Sequence, residues 1–332
     1  MPVPPLRDVL TGLRVVTLPL RDRFRGVTER EVALVCGPVG WGEFAPFLEY
    51  GPDEAARWLA AAVEAAWEGW PEPVRTEVAV NATVPPVAAD RVREVLARFE
   101  GCSTAKVKVA ESGQGLADDV ARVAAVRDVM GPAARIRVDA NGAWSVDEAA
   151  DALARLVPWG LEYAEQPCAT VPELRALRLT LARRGVDVPV AADESVRRAE
   201  DPVRVAREGA ADLVVVKVAP LGGVRSALEV VAACGLPAVV SSALDSSVGI
   251  AAGVALAAAL PTLDHACGLG TVALLAGDVA AEPLVPRAGV LRPGRAVPDP
   301  VLMDRWAAPP ERAAWWADRV GAAHAALLAG RS

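Results

Sequence analysis

From residue 88 onward, short apolar runs alternate with longer amphipathic stretches. Apolar positions at helical spacing predict helices over 88–99, 116–129, 146–156, 172–184, 203–208, 224–233 and 248–259. Between them lie runs rich in Val, Ala, Leu and Ile that read as buried strands. These are Thr104-Ala105-Lys106-Val107-Lys108-Val109, Arg135-Ile136-Arg137-Val138-Asp139, Leu161-Glu162-Tyr163-Ala164-Glu165, Val188-Pro189-Val190-Ala191-Ala192-Asp193, Leu213-Val214-Val215-Val216-Lys217-Val218 and Ala238-Val239-Val240-Ser241-Ser242. A last apolar run, Leu263-Asp264-His265-Ala266-Cys267, precedes a short helix near 272–279. The units share no repeat consensus. Strand-then-helix alternation of this kind predicts a parallel sheet with crossover helices.

The flanks differ. Leu13-Arg14-Val15-Val16-Thr17-Leu18 and Glu31-Val32-Ala33-Leu34-Val35 read as strands separated by a polar stretch, 21–29. Trp41-Gly42-Glu43-Phe44-Ala45-Pro46-Phe47 reads as a loop, and Pro52-Asp53-Glu54 opens a helix to about residue 67. The tail is Pro-rich from about 284 and ends in a helix over 310–329, expected to return to the N-terminal unit. The organisation predicted is an α+β unit over 1–85, a β/α body over 86–285 and a returning segment over 286–332.

The polar residues choose between an open sheet and a barrel. Lys108, Asp139, Glu165, Asp193 and Lys217 each close an apolar run, at the strand ends where α/β proteins place their chemistry. In an open sheet the lysine-bearing strands, four apart, would lie roughly 19 Å from each other at the usual strand spacing. In a barrel they face each other across the mouth, with the three acids along one side. One site results only from closure.

Composition sharpens this. The chain has 35 basic residues but only three lysines, Lys106, Lys108 and Lys217, all inside apolar strand runs. Lysine loses its proton when desolvated and arginine effectively does not, so the three read as amines that must titrate. The net charge of -7 argues against a nucleic-acid surface. The first ten residues hold three prolines and no apolar core, so no secretory leader is expected, and the apolar stretch at 248–260 is too short to span a bilayer. Five cysteines without a CxxC suit a reduced, cytoplasmic enzyme.

A single strand-end acid is more often a helix cap or a surface charge. Asp139, Glu165 and Asp193 on three successive strands invert that expectation. An all-oxygen ligand set suits magnesium, with manganese as a possible substitute. Lys106 and Lys108 point to one side of their strand, since side chains alternate. A lysine base opposite a lysine cation, around a metal that holds a carboxylate, describes removal of a proton α to that carboxylate. The partner is then a small carboxylate.

The motifs Lys106-x-Lys108, Val138-Asp139-Ala140-Asn141, Glu165-Gln166-Pro167, Asp193-Glu194-Ser195 and Lys217 together resemble the muconate-lactonizing subgroup of the enolase superfamily. The resemblance spans nearly the full length. It implies a modified TIM barrel, (β/α)₇β, under an N-terminal α+β capping domain completed by the C-terminal tail. Phe24-Arg25-Gly26, Gly40-Trp41-Gly42-Glu43-Phe44-Ala45-Pro46 and Ser241-Ser242-Ala243-Leu244-Asp245-Ser246-Ser247-Val248-Gly249 are most similar to the o-succinylbenzoate-forming branch. That likeness implies Lys108 as base and then acid, Lys217 as a stabilising cation, and Lys106 as the charge that keeps Lys108 deprotonated. It implies Asp139, Glu165 and Asp193 as metal ligands. Ser241, Ser242, Asn141, Phe24 and Arg25 are candidates for holding substrate, the last two as a lid. The alternatives for these are helix capping by the serines and a plain surface turn at Phe24-Arg25. N-Succinylamino acid racemases and dipeptide epimerases share the two-lysine layout. The epimerases typically carry an Asp-x-Asp pair late in the barrel, and Asp264-His265-Ala266-Cys267-Gly268 lacks the second acid. Mandelate-racemase-like chemistry needs a histidine base on a late strand; of the only two histidines, His265 lies one strand later than such a base is expected, and His324, in the terminal helix, is expected to be structural.

Overall fold

The computed structural model describes residues 3–196 and 201–330. The strands in chain order are β1 (Arg14–Phe24), β2 (Val27–Cys36), β3 (Trp41–Phe44), β4 (Val78–Ala79), β5 (Ala82–Val84), β6 (Thr104–Lys108), β7 (Arg135–Asp139), β8 (Leu161–Glu165), β9 (Val190–Ala192), β10 (Leu213–Val216), β11 (Ala238–Val240) and β12 (Val290–Leu291). β5 through β11 form one parallel sheet in sequence order. The segment Cys267–Gly268 closes it. Gly268 bridges to Ser241 on one side and Cys267 to Val80 on the other, both parallel. Asn81 N–H donates to Cys267 O at 2.9 Å, and Gly268 N–H to Val240 O at 2.8 Å. The body is therefore a closed barrel whose last strand is reduced to a pair of bridges.

The crossover helices follow from local chemistry. Ser145 with Glu148 and Thr170 with Glu173 form capping boxes that start Val146–Leu156 and Val171–Arg184. Gly185 and Gly235 end two helices in the left-handed conformation. Buried Val, Ala and Leu on the outer strand faces pack against these helices in one continuous core. Inside the barrel, Tyr163, Ala191, Leu213, Val215 and Val239 form a separate small cluster.

β1, β2 and β3 make an antiparallel sheet that, with helix Pro52–Val63, forms the capping domain. The tail completes it. Ala308 N–H donates to Val15 O and Thr17 N–H to Trp306 O. Helix Pro310–Ala329 buries Trp316 edge-on against Phe44, centroids 5.8 Å apart.

Three expectations are corrected. The polar stretch 21–29 does not separate the first two strands but belongs to them: β1 and β2 run through it and turn at Arg25-Gly26, with φ of 51° and 79°. Positive φ at both central residues matches the twist of a two-residue hairpin. Trp41–Phe44 is a strand, paired with β2, and not a loop. The parallel sheet begins before residue 86, because β5 pairs with β6.

Candidate active site

Register brings the chemistry to one level. Lys108 lies beside Asp139 and Asp139 beside Glu165 on hydrogen-bonded neighbours. One layer below, Thr83, Lys106 and Arg137 are aligned in the same way. Lys217 follows β10 on the far arm of the sheet. All three lysines are 7% exposed.

Lys108 Nζ donates to Asp139 Oδ2 at 2.5 Å and to Asn141 Oδ1 at 2.8 Å. Lys106 Nζ lies 2.7 Å from Glu165 Oε1 and 3.1 Å from Asp139 Oδ2. The Lys217 ammonium sits on both Asp193 oxygens. Burial lowers Lys108 from the ordinary lysine value; Asp139 opposes the shift, and Lys106 and Arg25 add to it. For Lys106, burial also acts downward, but Glu165, Asp139 and Asp193 together outweigh it and hold that amine charged. Asp139 and Glu165 thus raise both amines of the motif; at Lys106 the acids outweigh burial, and at Lys108 burial, with Lys106 and Arg25, outweighs them. Burial and Asp139 push Glu165 up to about 8. Asp139 is buried too, yet Lys108 and Lys106 hold it well below the ordinary carboxylate range.

The carboxylates are paired to lysines instead of gathered round a single point. Among the described residues no group of three or more His, Cys, Asp or Glu side chains is drawn together as a metal-holding cluster. Their chemistry nevertheless fits a hard divalent cation. Asp139, Glu165 and Asp193 supply only oxygen, all are 3% exposed or less, and Glu165 Oε2 is buried with no hydrogen-bond partner.

The β1–β2 hairpin covers the mouth. Phe24 is buried, and its ring centroid lies 5.2 Å from Lys108 Nζ. Arg25 donates to Glu194 Oε1 at 2.9 Å, and Asn141 Nδ2 to the same oxygen at 3.2 Å. The surface-turn alternative for Phe24 and Arg25 therefore fails. Phe24, Arg25, Lys106, Lys108, Lys217, Asn141, Asp193, Ser241 and Ser242 line one cavity. Its space for water centres is about 20 Å³, little more than one water.

The serines do not cap the following helix; Ser246 does, accepting from Val248 N–H at 3.2 Å. Ser242 Oγ instead meets Thr271 Oγ1 at 2.7 Å, and Ser241 Oγ faces Gly268 O at 3.4 Å. Thr83, Thr271 and Gly268 also line the cavity and were not singled out from sequence. The pairing of β5 with β6 sets Thr83 beside Lys106, and only barrel closure brings in Thr271 and Gly268, so no local signal marked them. His265 pairs with Glu162 at 3.1 Å, at the start of β8 and away from the mouth. His324 is buried against Pro4 O at 2.8 Å.

Known proteins share this plan. Residues 88–299 match the family model described as enolase C-terminal domain-like, and residues 15–66 match the one described as enolase N-terminal domain-like. An o-succinylbenzoate synthase of Mycolicibacterium smegmatis is 61% identical over 326 residues, covering 98% of this chain and 99% of that protein. An o-succinylbenzoate synthase of Mycobacterium leprae is 56% identical over 327 residues, covering 98% and 95%. Among solved structures, muconate lactonizing enzyme from Pseudomonas putida superposes with a TM-score of 0.74 at 21% identity, covering 89% of this chain and 98% of that one. The enzyme from Pseudomonas fluorescens, complexed with muconolactone, gives 0.77 at 22%, with the same coverage. At that identity the structures speak for the fold alone.

Proposed function

The chain belongs to the enolase superfamily, and from that premise we propose that it is a lyase forming o-succinylbenzoate by dehydrating 2-succinyl-6-hydroxy-2,4-cyclohexadiene-1-carboxylate. The observation that carries the reading is the gathering of Lys106, Lys108 and Lys217 with Asn141, Asp193 and the two serines around one cavity at the barrel mouth. Burial, Lys106 and Arg25 favour a neutral Lys108, the form a base needs. Lys217 faces it across the same cavity. The near full-length likeness to o-succinylbenzoate synthases supports this chemistry over others on the same fold.

In this reading neutral Lys108 takes the proton from the carbon bearing the carboxylate. The C–H electron pair moves into the carboxylate as an enediolate. Lys108, now an ammonium, gives its proton to the departing hydroxyl on the same face, and the C–O bond breaks to release water. The ring becomes aromatic. Lys217 stabilises the developing negative charge electrostatically. Lys106 keeps the local field positive. Ser241, Ser242 and Asn141 offer hydrogen bonds to substrate oxygens. Phe24 and Arg25 act as a lid over the mouth that shields the reacting groups from water.

Asp139, Glu165 and Asp193 would hold a divalent cation, which we take to be magnesium with manganese as a substitute, and it would supply charge stabilisation to the substrate carboxylate. Chelation with EDTA is expected to abolish turnover and added magnesium to restore it. Retention of full rate in EDTA, at a concentration that strips divalent ions from a control enzyme, would sink the metal assignment. The five cysteines are free thiols, and no helix among the described residues is long and apolar enough to cross a membrane. Both support a cytoplasmic setting.

The function is tested by supplying purified protein with magnesium and the cyclohexadiene carboxylate. Aromatic product is expected. Racemisation of N-succinylamino acids without that product would replace the reading by a two-base one. The placement of Lys108 and Lys217 on opposite sides of the cavity is the feature such a racemase would use.

A further inference from the structure

The Lys217 side of the barrel is held from the capping domain. After β10 the chain turns through residues 217–223 and enters helix Val224–Cys234. Gly222 and Gly223 take φ of 86° and 133° there. Gly222 N–H donates to Ala219 O, and Gly223 N–H donates to Val218 O, each at 3.1 Å. The helix starts at Gly223, which has no side chain to cap it.

Glu64, which follows helix Pro52–Val63 of the capping domain, fills that role. Its Oε2 accepts from Val224 N–H at 2.5 Å, and its Oε1 from Arg225 N–H at 3.1 Å and from the Arg225 guanidinium at 3.0 Å. Glu64 is 7% exposed. A Cβ on Gly223 would lie 2.5 Å from Glu64 Oε2, so glycine is what lets the carboxylate approach. The neighbouring turn, behind Ser241 and Ser242, is held in the same style. Glu43 on β3 accepts from Ser246 N–H, Ser246 Oγ and Gly249 N–H. Arg30 on β2 reaches the carbonyls of Ala243 and Leu244, the latter at φ of 64°.

A carboxylate at a helix N-terminus satisfies orphan N–H groups and meets the positive end of the helix dipole. A cap from the preceding residue would stabilise the helix and leave the domains independent. A cap from the other domain ties the turn to domain docking. The path is short: Glu64 to Val224 N–H, along the backbone to Gly223 N–H, and from there to the carbonyl of Val218, the residue after Lys217.

We propose that Glu64 is a positioning residue for Lys217, fixing the 217–223 turn so that the ammonium is correctly placed across the mouth from Lys108. The proposal rests on the dehydratase reading. Glu64 itself touches no reacting atom.

The test uses the full chain with magnesium and the cyclohexadiene carboxylate, comparing wild type with Glu64→Gln and Glu64→Asp. Circular dichroism and thermal melts establish that each variant is folded at the assay temperature. Misplacement of Lys217 predicts a kcat lower by about 10–100-fold with KM little changed, the scale of a small positional error at a reacting centre. A merely structural cap predicts a lower melting temperature with wild-type kcat, and that result overturns the proposal. So does a rise in KM at unchanged kcat. If Glu64→Gln does not fold, Glu64→Asp, which keeps the charge and shortens the reach, decides by the same two readouts. An inactive wild type removes the dehydratase reading and the inference with it, which is distinct from active wild type with unaffected variants.

Discussion

Lys108 sits among Asp139, Asn141, Phe24 and a second lysine, while Lys217 has Asp193 on its ammonium. In the proposed mechanism Lys108 is the base and Lys217 the fixed cation. The scarcity of lysine pointed to both, because in an arginine-rich chain each surviving lysine marks a place where a guanidinium does not serve. The threonines of the cavity, Thr83 and Thr271, carried no such mark, since threonine is common at strand and turn positions. Glu43 stood out only as a member of the motif at 40–46, yet it is strongly perturbed. Burial, then the neighbouring Asp245, push it up to about 8, against the opposing pull of Ser246, Arg30 and Gly249. Its unfolded value is that of an ordinary carboxylate, so between the two the folded protein keeps a proton that the unfolded chain has released. Stability therefore falls as pH rises across that window. Asp245, raised by burial, adds a slope of the same sign. In Glu43→Gln the side chain cannot titrate, and the fall in melting temperature between about pH 5 and pH 8 should be shallower than in wild type. Parallel curves for the two proteins would show that Glu43 is not the group responsible.

At the scale of elements, the long crossover helices were legible because their signals are local. Ser145 with Glu148 and Thr170 with Glu173 announce helix starts three residues ahead. The short strands were not. β5 has three residues, too few for an alternation to register, and its membership in the sheet is decided by β6 beside it. β3 contains Gly42 between an aromatic and an acid, which reads as a loop. Gly42 is there because the backbone of Ala62, on the capping helix, leaves no room for a Cβ. Near the β1–β2 turn Phe24 and Arg25 face the mouth of the barrel, while Arg21, Arg23, Thr28 and Glu29 are exposed, which is why the stretch reads as polar. The returning tail was legible as a helix but not in its contacts. Trp316 is fully buried, edge-on to Phe44, and its Nε1 donates to Glu31 Oε2 at 3.1 Å. Trp316→Ala is expected to cost about 3–5 kcal/mol, from the cavity it leaves. Urea unfolding measures this, and a loss under about 1 kcal/mol would mean that the tail contributes little to the capping domain.

For the whole molecule, closure of the sheet is what turns five separate strand ends into one site. Lys108 on the second barrel strand and Lys217 after the sixth become opposite only because Cys267–Gly268 bridges β11 back to the residues before β5. The need to bring two lysines together predicted that closure; the sparse closing strand, a pair of bridges with no regular pattern, could not be read. The capping domain then finishes the mouth from above with Phe24 and Arg25, and from behind with Glu43 and Glu64. The central claim is that one amine, Lys108, both removes the carbon-bound proton and protonates the leaving hydroxyl. The most direct test is the rate of aromatic product formation by Lys108→Arg, with magnesium present and folding verified by circular dichroism. Arginine keeps the charge and cannot act as a base, so the rate is expected to fall by at least ~10²–10⁴-fold, the range of a lost general acid–base group. A folded Lys108→Arg protein that retains more than about a tenth of the wild-type rate would contradict the account, since a loss that small is below what removal of a general base costs.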